Sequence, residues 1–201
     1  MKLNTIENLK KRKSNYNLNK DIKVSDEDII KMVEDVFLYS PSAFNSQSHK
    51  AIIVLGDEHD YLWEDLTLNT LLEIVKKEEK IKEVTEKMNS FKNAYGTILI
   101  FEDEDIVKSL QEQFPIFKDN FPIWSEQGSG MATIEMWNAF AEMGLGANLQ
   151  HYNPLIDEKI QKRWDIPKNW VLRGQLIFGE IVEEAKAKEK IDIKKRVKVV
   201  K

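Results

Sequence analysis

The 201-residue chain has no cysteine, which excludes disulfides, thiolate metal centres and a cysteine nucleophile, and suits a reducing compartment. Histidine is sparse: His49, His59 and His151 are too scattered for a recognisable metal-ligand spacing. No HExxH or GxSxG pattern occurs, so a hydrolase reading has no support. Long apolar runs are missing as well. Those near Ile52 to Leu55 and Ile98 to Phe101 are far too short to span a bilayer, and the N-terminal residues lack the continuous apolar core of a signal peptide. No internal repeat of solenoid length is present. With 34 acidic and 30 basic residues the formal charge is −4, which argues against whole-chain attraction to nucleic acid or an anionic membrane. These absences predict a single soluble, cytoplasmic domain over 1–201 that works on small molecules.

What is present centres on Ser40-Pro41-Ser42-Ala43-Phe44-Asn45-Ser46-Gln47-Ser48, where small hydroxyls and two carboxamides sit between a helical and a strand-like segment. It offers no general acid, general base or activated nucleophile, so chemistry there has to come from a bound cofactor. Ser25 to Ser40 reads as an amphipathic helix opened by a Ser25/Asp28 capping box, and Ala51 to Leu55 as a buried strand stopped at Gly56-Asp57. A helical region from about His59 to Phe91 breaks near Lys76 to Lys80. Tyr95 to Phe101 reads as a second strand, and Glu102-Asp103-Glu104-Asp105 places negative charge where a helix begins. Four successive acids with no shaping glycine do not converge on one cation, so no metal site is expected.

Phe114 to Trp124 is an aromatic segment interrupted by two prolines; core packing and the flanking of a planar ligand are both open to it. Ser125 to Met143 predicts a strong helix with Met131, Ile134, Trp137 and Phe140 or Ala141 at helical spacing, ended by Gly144 and Gly146. The glycines of Gly144-Leu145-Gly146-Ala147 follow a helix and precede a short strand, Ala147 to Gln150, the reverse of a dinucleotide fingerprint. Ile156 to Arg163 reads as a helix and Trp170 to Phe178 as a strand.

The two ends are basic. Asn4 to Lys13 reads as a short helix ending in Lys10-Lys11-Arg12-Lys13, followed by Ser14 to Leu18 as turn or loop. That group is either a solvated face or a phosphate clasp, with Arg12 donating in bidentate fashion and Ser14 adding a hydroxyl. Ala185 to Lys201 holds eight basic and two acidic residues. It is either a disordered basic tail or, from the alternation in Arg196-Val197-Lys198-Val199, a strand that joins a sheet edge and presents two cations to a phosphate.

These motifs, in this order, resemble the nitroreductase family, in particular its branch of short FMN-dependent NAD(P)H nitroreductases. The likeness runs from about Arg12 to Val199. Its carriers are Arg12 to Tyr16, Pro41 to Ser48, Phe101-Glu102-Asp103, Gly144 to Pro154 and Arg196 to Val199. The resemblance implies an α+β fold with a central mixed, mainly antiparallel sheet surrounded by helices, built as an intertwined homodimer with FMN at the subunit interface. It implies that Arg12, Lys13, Ser14 and Tyr16 meet the FMN phosphate and ribityl chain, Tyr16 standing where many relatives have a second basic residue. Pro41, Ser42, Ala43, Asn45 and Gln47 of the second subunit then lie along the ring and ribityl chain, and Asn148, Leu149, Gln150 and His151 line the other side. Arg196 and Lys198 complete the phosphate site, on an extension over 185–201 that packs on the partner subunit. The implied reaction is hydride transfer from NADH or NADPH to flavin N5, then electron transfer to a nitroaromatic or quinone in ping-pong order, with no catalytic side chain. The rival reading is a flavin-binding stress-response dimer that stores or senses FMN with little turnover.

Overall fold

The computed structural model describes residues 4–186 and 188–201. The apolar runs become strands of one sheet: β1 (Leu18–Asn19), β2 (His49–Leu55), β3 (Gly96–Asp103), β4 (Gly146–Gln150) and β5 (Trp170–Ile181). Their order is β1-β5-β3-β2, with β4 also paired to β5, and every one of these pairings is antiparallel. The sheet is thus antiparallel rather than mixed; the one parallel pairing, Ser14 to Ala147, is an isolated bridge outside the strands. All of β3 is buried, because helices cover both of its faces; this is why it reads as a continuous apolar run rather than an alternation.

One face packs Trp63, Met88 and Phe91 against Leu99 and Phe101; the other packs Ile29, Val33, Met136 and Phe140 against Ile98 and Ile100. Helix α1 is Asn4–Lys11, and α2 (Asp26–Tyr39) starts as its capping box predicts, with the Asp28 N–H donating to Ser25 Oγ at 3.1 Å. The long helical region divides into α3 (Gly56–Tyr61), a π-helical turn at Leu62–Thr67, α4 (Leu68–Ile74) and α5 (Glu78–Lys92), the break falling at the expected lysines. No helix among the described residues is long and apolar enough to cross a membrane.

Four expectations need correcting. Asp103 caps α6 (Glu104–Gln113) by accepting the Asp105 N–H, but Glu102 lies inside β3 with no exposed surface, so the acidic run is not a single capping group. In α7 (Phe121–Glu142) the stripe facing the sheet is Ser125, Gly128, Ser129, Ala132, Met136 and Phe140, whereas Met131 is exposed. At Gly128 this face comes close to His49 and Pro41: a Cβ there would lie in ordinary contact, 3.7 Å from His49 Nδ1 and 3.9 Å from the Pro41 carbonyl. Arg196 to Val199 forms no strand: a 3-10 turn at Ile193–Lys195 is followed by irregular chain, with Val197 60% and Val199 72% exposed. A strand needs a ladder partner, and among the described residues of the chain none pairs with these. The expected Ser14 to Leu18 loop is also more ordered than its composition suggests, since Ser14 bridges to β4 and Leu18 enters β1.

A buried network fixes α3 and the π-turn to the sheet. Trp63 Nε1 donates to Thr97 Oγ1 at 2.9 Å, Thr97 Oγ1 lies 3.1 Å from His59 Nδ1, and His59 Nε2 lies 3.1 Å from the Phe91 carbonyl. These contacts agree if Thr97 donates to Nδ1 and His59 carries its proton on Nε2. Burial holds His59 down to about 4, so the ring is neutral. A lowered folded value means that this contribution is complete above the ordinary histidine range and is lost as pH falls from about 6.5 toward 4. Thr97→Val strands the Trp63 and His59 nitrogens and is expected to destabilise the protein by about 1 to 3 kcal/mol in urea unfolding at neutral pH. A change below about 0.5 kcal/mol would show that the network carries little.

Candidate functional site

Arg12 to Asn15 is laid along β4. The Asn15 N–H donates to the Ala147 carbonyl at 2.9 Å, Asn148 Nδ2 donates to the Asn15 carbonyl at 2.8 Å, and Trp137 Nε1 donates to the Lys13 carbonyl at 3.2 Å. Gln150 Nε2 in turn donates to Asn148 Oδ1 at 2.8 Å. The Asn148 amide is therefore committed to the fold, while Leu149 and His151 face a cavity of about 300 Å³ that they share with Trp137, Glu126 and Arg173. The structure thus brings Ser14 and Asn15 beside Ala147 and Asn148, with Arg12 and Lys13 against Trp137 and the Gly144 to Ala147 end of β4; Leu149 and His151 border the separate cavity on the other side of Trp137.

Arg12 lies over the Trp137 ring, 4.4 Å from its centre, and its Nε is buried without a hydrogen-bond partner. Next to it a hollow of about 500 Å³ is lined by Lys10, Arg12, Lys13, Ser14, Lys186, Lys188 and Lys190, with no carboxylate in its wall among the described residues, although Lys13 pairs with Glu184 at 3.2 Å and Lys10 with Glu7 at 2.9 Å. Six cations around one hydroxyl, with a buried donor left over, make a site for a multiply charged anion such as a phosphate. The three tail lysines were not singled out in the sequence; the basic composition of 185–201 was the available signal. They arrive here because the Ala185 N–H donates to Asn15 Oδ1 at 3.2 Å and turns the start of the tail back over the site. Arg196 and Lys198 line neither hollow, and half-exposed Tyr16 lines neither.

The Ser40 to Ser48 stretch is a tight turn containing a short 3-10 segment, Ala43–Asn45. Phe44, Asn45 and Gln47 have φ of 56°, 52° and 51°, the left-handed region that side-chain-bearing residues enter rarely. Local bonds hold it: the Gln47 N–H donates to Ser42 Oγ at 2.9 Å and the Asn45 N–H to the Ser42 carbonyl at 3.0 Å. Ser40 Oγ bonds to Glu135 on α7. Phe44 packs on Phe114, Phe121 and Trp124 at 5.0, 5.2 and 6.0 Å between ring centres. The aromatic segment is thus the seat of this turn. Burial lowers the proton affinity of His49, immediately beyond the turn, with Lys50 adding to the effect.

Pro41 and Ser42 border α7 at Gly128, whereas Lys13 meets the same helix at Trp137. Nine residues of helix separate the two by about 14 Å. Within one chain, Pro41, Ser42, Ala43, Asn45 and Gln47 therefore sit apart from the basic hollow.

The nitroreductase family model matches residues 9–180. The chain is 33% identical to nitroreductase FRM2 of Saccharomyces cerevisiae over 180 residues, which cover 88% of this chain and 86% of the yeast protein. It is similar in structure to nitroreductase CinD from Lactococcus lactis, solved in complex with chloramphenicol, with a TM-score of 0.89 and 45% identity over 98% of this chain and 100% of that one. The complex of CinD with 4-nitrophenol superposes with a TM-score of 0.88 at the same 45% identity, again over 98% of this chain and 100% of that one. A nitroreductase with bound FMN from Desulfitobacterium hafniense shares the fold, with a TM-score of 0.72 and 18% identity over 100% of both chains.

Asn148→Ala removes the donor to Asn15 and the acceptor of Gln150 together. Ligand-free protein carrying it is expected to lose about 1 to 3 kcal/mol of stability in urea unfolding. Unchanged stability would place the amide outside the structural role given to it here.

Proposed function

The chain belongs to the nitroreductase family of FMN-dependent oxidoreductases, and from that membership we propose that it is an NAD(P)H-dependent nitroreductase and quinone reductase acting as an intertwined homodimer. The observation that carries the cofactor assignment is the cation-lined hollow with the partnerless, buried Arg12 Nε at its edge. Its donor set fits the phosphate of FMN. Arg12, Lys13 and Ser14, joined by Lys186, Lys188 and Lys190, would hold that phosphate, and Tyr16 adds the remaining contact on the ribityl side. Leu149 and His151 would border the ring, with Asn148 and Gln150 setting the strand beneath it.

Pro41, Ser42, Ala43, Asn45 and Gln47 enter the site from the second chain, because rigid α7 keeps them about 14 Å from Lys13 of their own chain. Arg196 and Lys198 likewise serve the partner subunit's phosphate site, where the exposed valines of the 185–201 extension gain cover. When bound, FMN supplies the redox chemistry, accepting a hydride from NADH or NADPH and passing electrons to a nitroaromatic or quinone in ping-pong order. The protein's own share is to bind and orient. Its cations and carboxamides favour the negative charge that two-electron reduction places near the ring, and the apolar Leu149 and Trp137 walls limit water. The complex of CinD with 4-nitrophenol supports a flat nitroaromatic as acceptor. The composition suits work in the cytoplasm on small molecules, with neither nucleic acid nor membrane as partner.

Arg12→Ala is expected to weaken FMN binding by about 1.5 to 3 kcal/mol, roughly 10- to 150-fold, in calorimetric titration. Unchanged affinity would remove Arg12 from the site. Anaerobic mixing of the yellow protein with NADH and with NADPH tests turnover: bleaching is expected, whereas flavin that stays oxidised would favour an FMN store or sensor.

A further inference from the structure

Beneath the Ser42 to Ser48 turn lies a buried acid that the proposed redox site does not use. Glu102 is completely buried near the end of β3, and neither of its carboxylate oxygens has a hydrogen-bond partner. Its cross-strand neighbour is His49, the first residue of β2, so both side chains face the α7 side of the sheet. His49 fills the space between Phe37, 5.3 Å away ring to ring, and Gly128 of α7. Ser48, which joins the turn to β2, is 1% exposed, and its carbonyl accepts the Asp103 N–H at 2.9 Å. The Ser48 hydroxyl lies beside Glu102 without completing a bond of normal geometry, and 3.4 Å from the Ser46 hydroxyl. Glu102, Ser48 and Ser46 thus lead from the sheet into a turn with three left-handed residues.

The groups that favour the ionised form of Glu102, first among them the Ser48 hydroxyl, do not outweigh its burial. Burial is the largest influence and pushes it up to about 7. Glu126 on α7 adds to that rise; Arg173 on β5 and Lys50 on β2 oppose it, but Arg173 is itself paired with Glu126 at 2.6 Å and lies 3.6 Å from Glu104 of α6. Burial, and then Lys50, lower the proton affinity of the neighbouring His49, while Glu135 of α7 raises it.

We propose that Glu102, as the uncharged acid, is a positioning residue that holds the Ser42 to Ser48 turn in its left-handed form through Ser48. The neutral carboxyl has an O–H to donate to Ser48 Oγ, which frees the Ser48 proton for Ser46. The ionised carboxylate has no proton to give and can only accept from the Ser48 hydroxyl, which takes that proton away from Ser46 and leaves the second carboxylate oxygen buried and unpartnered; water admitted to relieve it loosens the turn. Glu102 acts on Asn45 and Gln47 indirectly and touches no ligand itself. The inference rests on the turn's proposed place in the FMN site.

The sign follows from the raised folded value: stability from this group is complete at acid pH and is lost as pH rises from the ordinary carboxylate range through about 7. The test is FMN affinity by fluorescence quenching from pH 5.5 to 8.5, with thermal melts of FMN-free protein, for wild type, Glu102→Gln and Ser48→Ala. Wild-type affinity should fall with rising pH, by up to tenfold per pH unit above about 7, with a parallel fall in melting temperature. Glu102→Gln keeps a donor and no charge, so both of its profiles should lack that fall; ionisation of the FMN phosphate near pH 6 is common to all variants. Ser48→Ala should bind weakly even at pH 5.5. An identical pH slope in wild type and Glu102→Gln would overturn the proposal, as would wild-type affinity in Ser48→Ala, the deciding variant if Glu102→Gln does not fold. FMN that fails to bind at any pH would instead sink the cofactor assignment.

Discussion

Asn15 is the residue on which the arrangement of the site depends. Its N–H pairs with Ala147, its carbonyl takes the Asn148 amide, and its side-chain oxygen takes the Ala185 N–H. Three remote parts of the chain, the N-terminal basic segment, β4 and the start of the tail, are thereby joined at one 5%-exposed side chain. Without that junction the cations of 10–13 and 186–190 would repel one another and separate, since like charges gather only where the backbone is held by other means. The hollow between them is then preorganised for an anion.

The second constraint is the stiffness of α7. One helix supports both the left-handed turn at Gly128 and the basic segment at Trp137, and its length keeps them apart. In the proposed dimer this separation is useful, because each chain presents its turn to the other chain's hollow. Strain in the turn is offset locally by Ser42 and by the aromatic seat under Phe44.

Much of this was legible in the sequence. Strand-like runs identified β2, β3 and β5, the short segment after the glycines β4, the Ser25/Asp28 box placed α2, the lysines at 76 and 77 marked the break before α5, and the order of motifs pointed to the family that the chain belongs to. These features are local, or repeat at the period of a single element, so neighbouring residues determine them. Tertiary structure alone decided the rest. Glu102 looked like one of four capping acids, and only the ladder beside His49 buried it. Lys186, Lys188 and Lys190 were indistinguishable from the other tail cations until the Ala185 to Asn15 bond turned them toward Arg12. Arg196 to Val199 had the strand period but no ladder partner among the described residues, and periodicity cannot supply one. Burial of a charge, convergence of distant cations and pairing of a strand all depend on what lies across the fold, and that is settled only when the chain closes on itself.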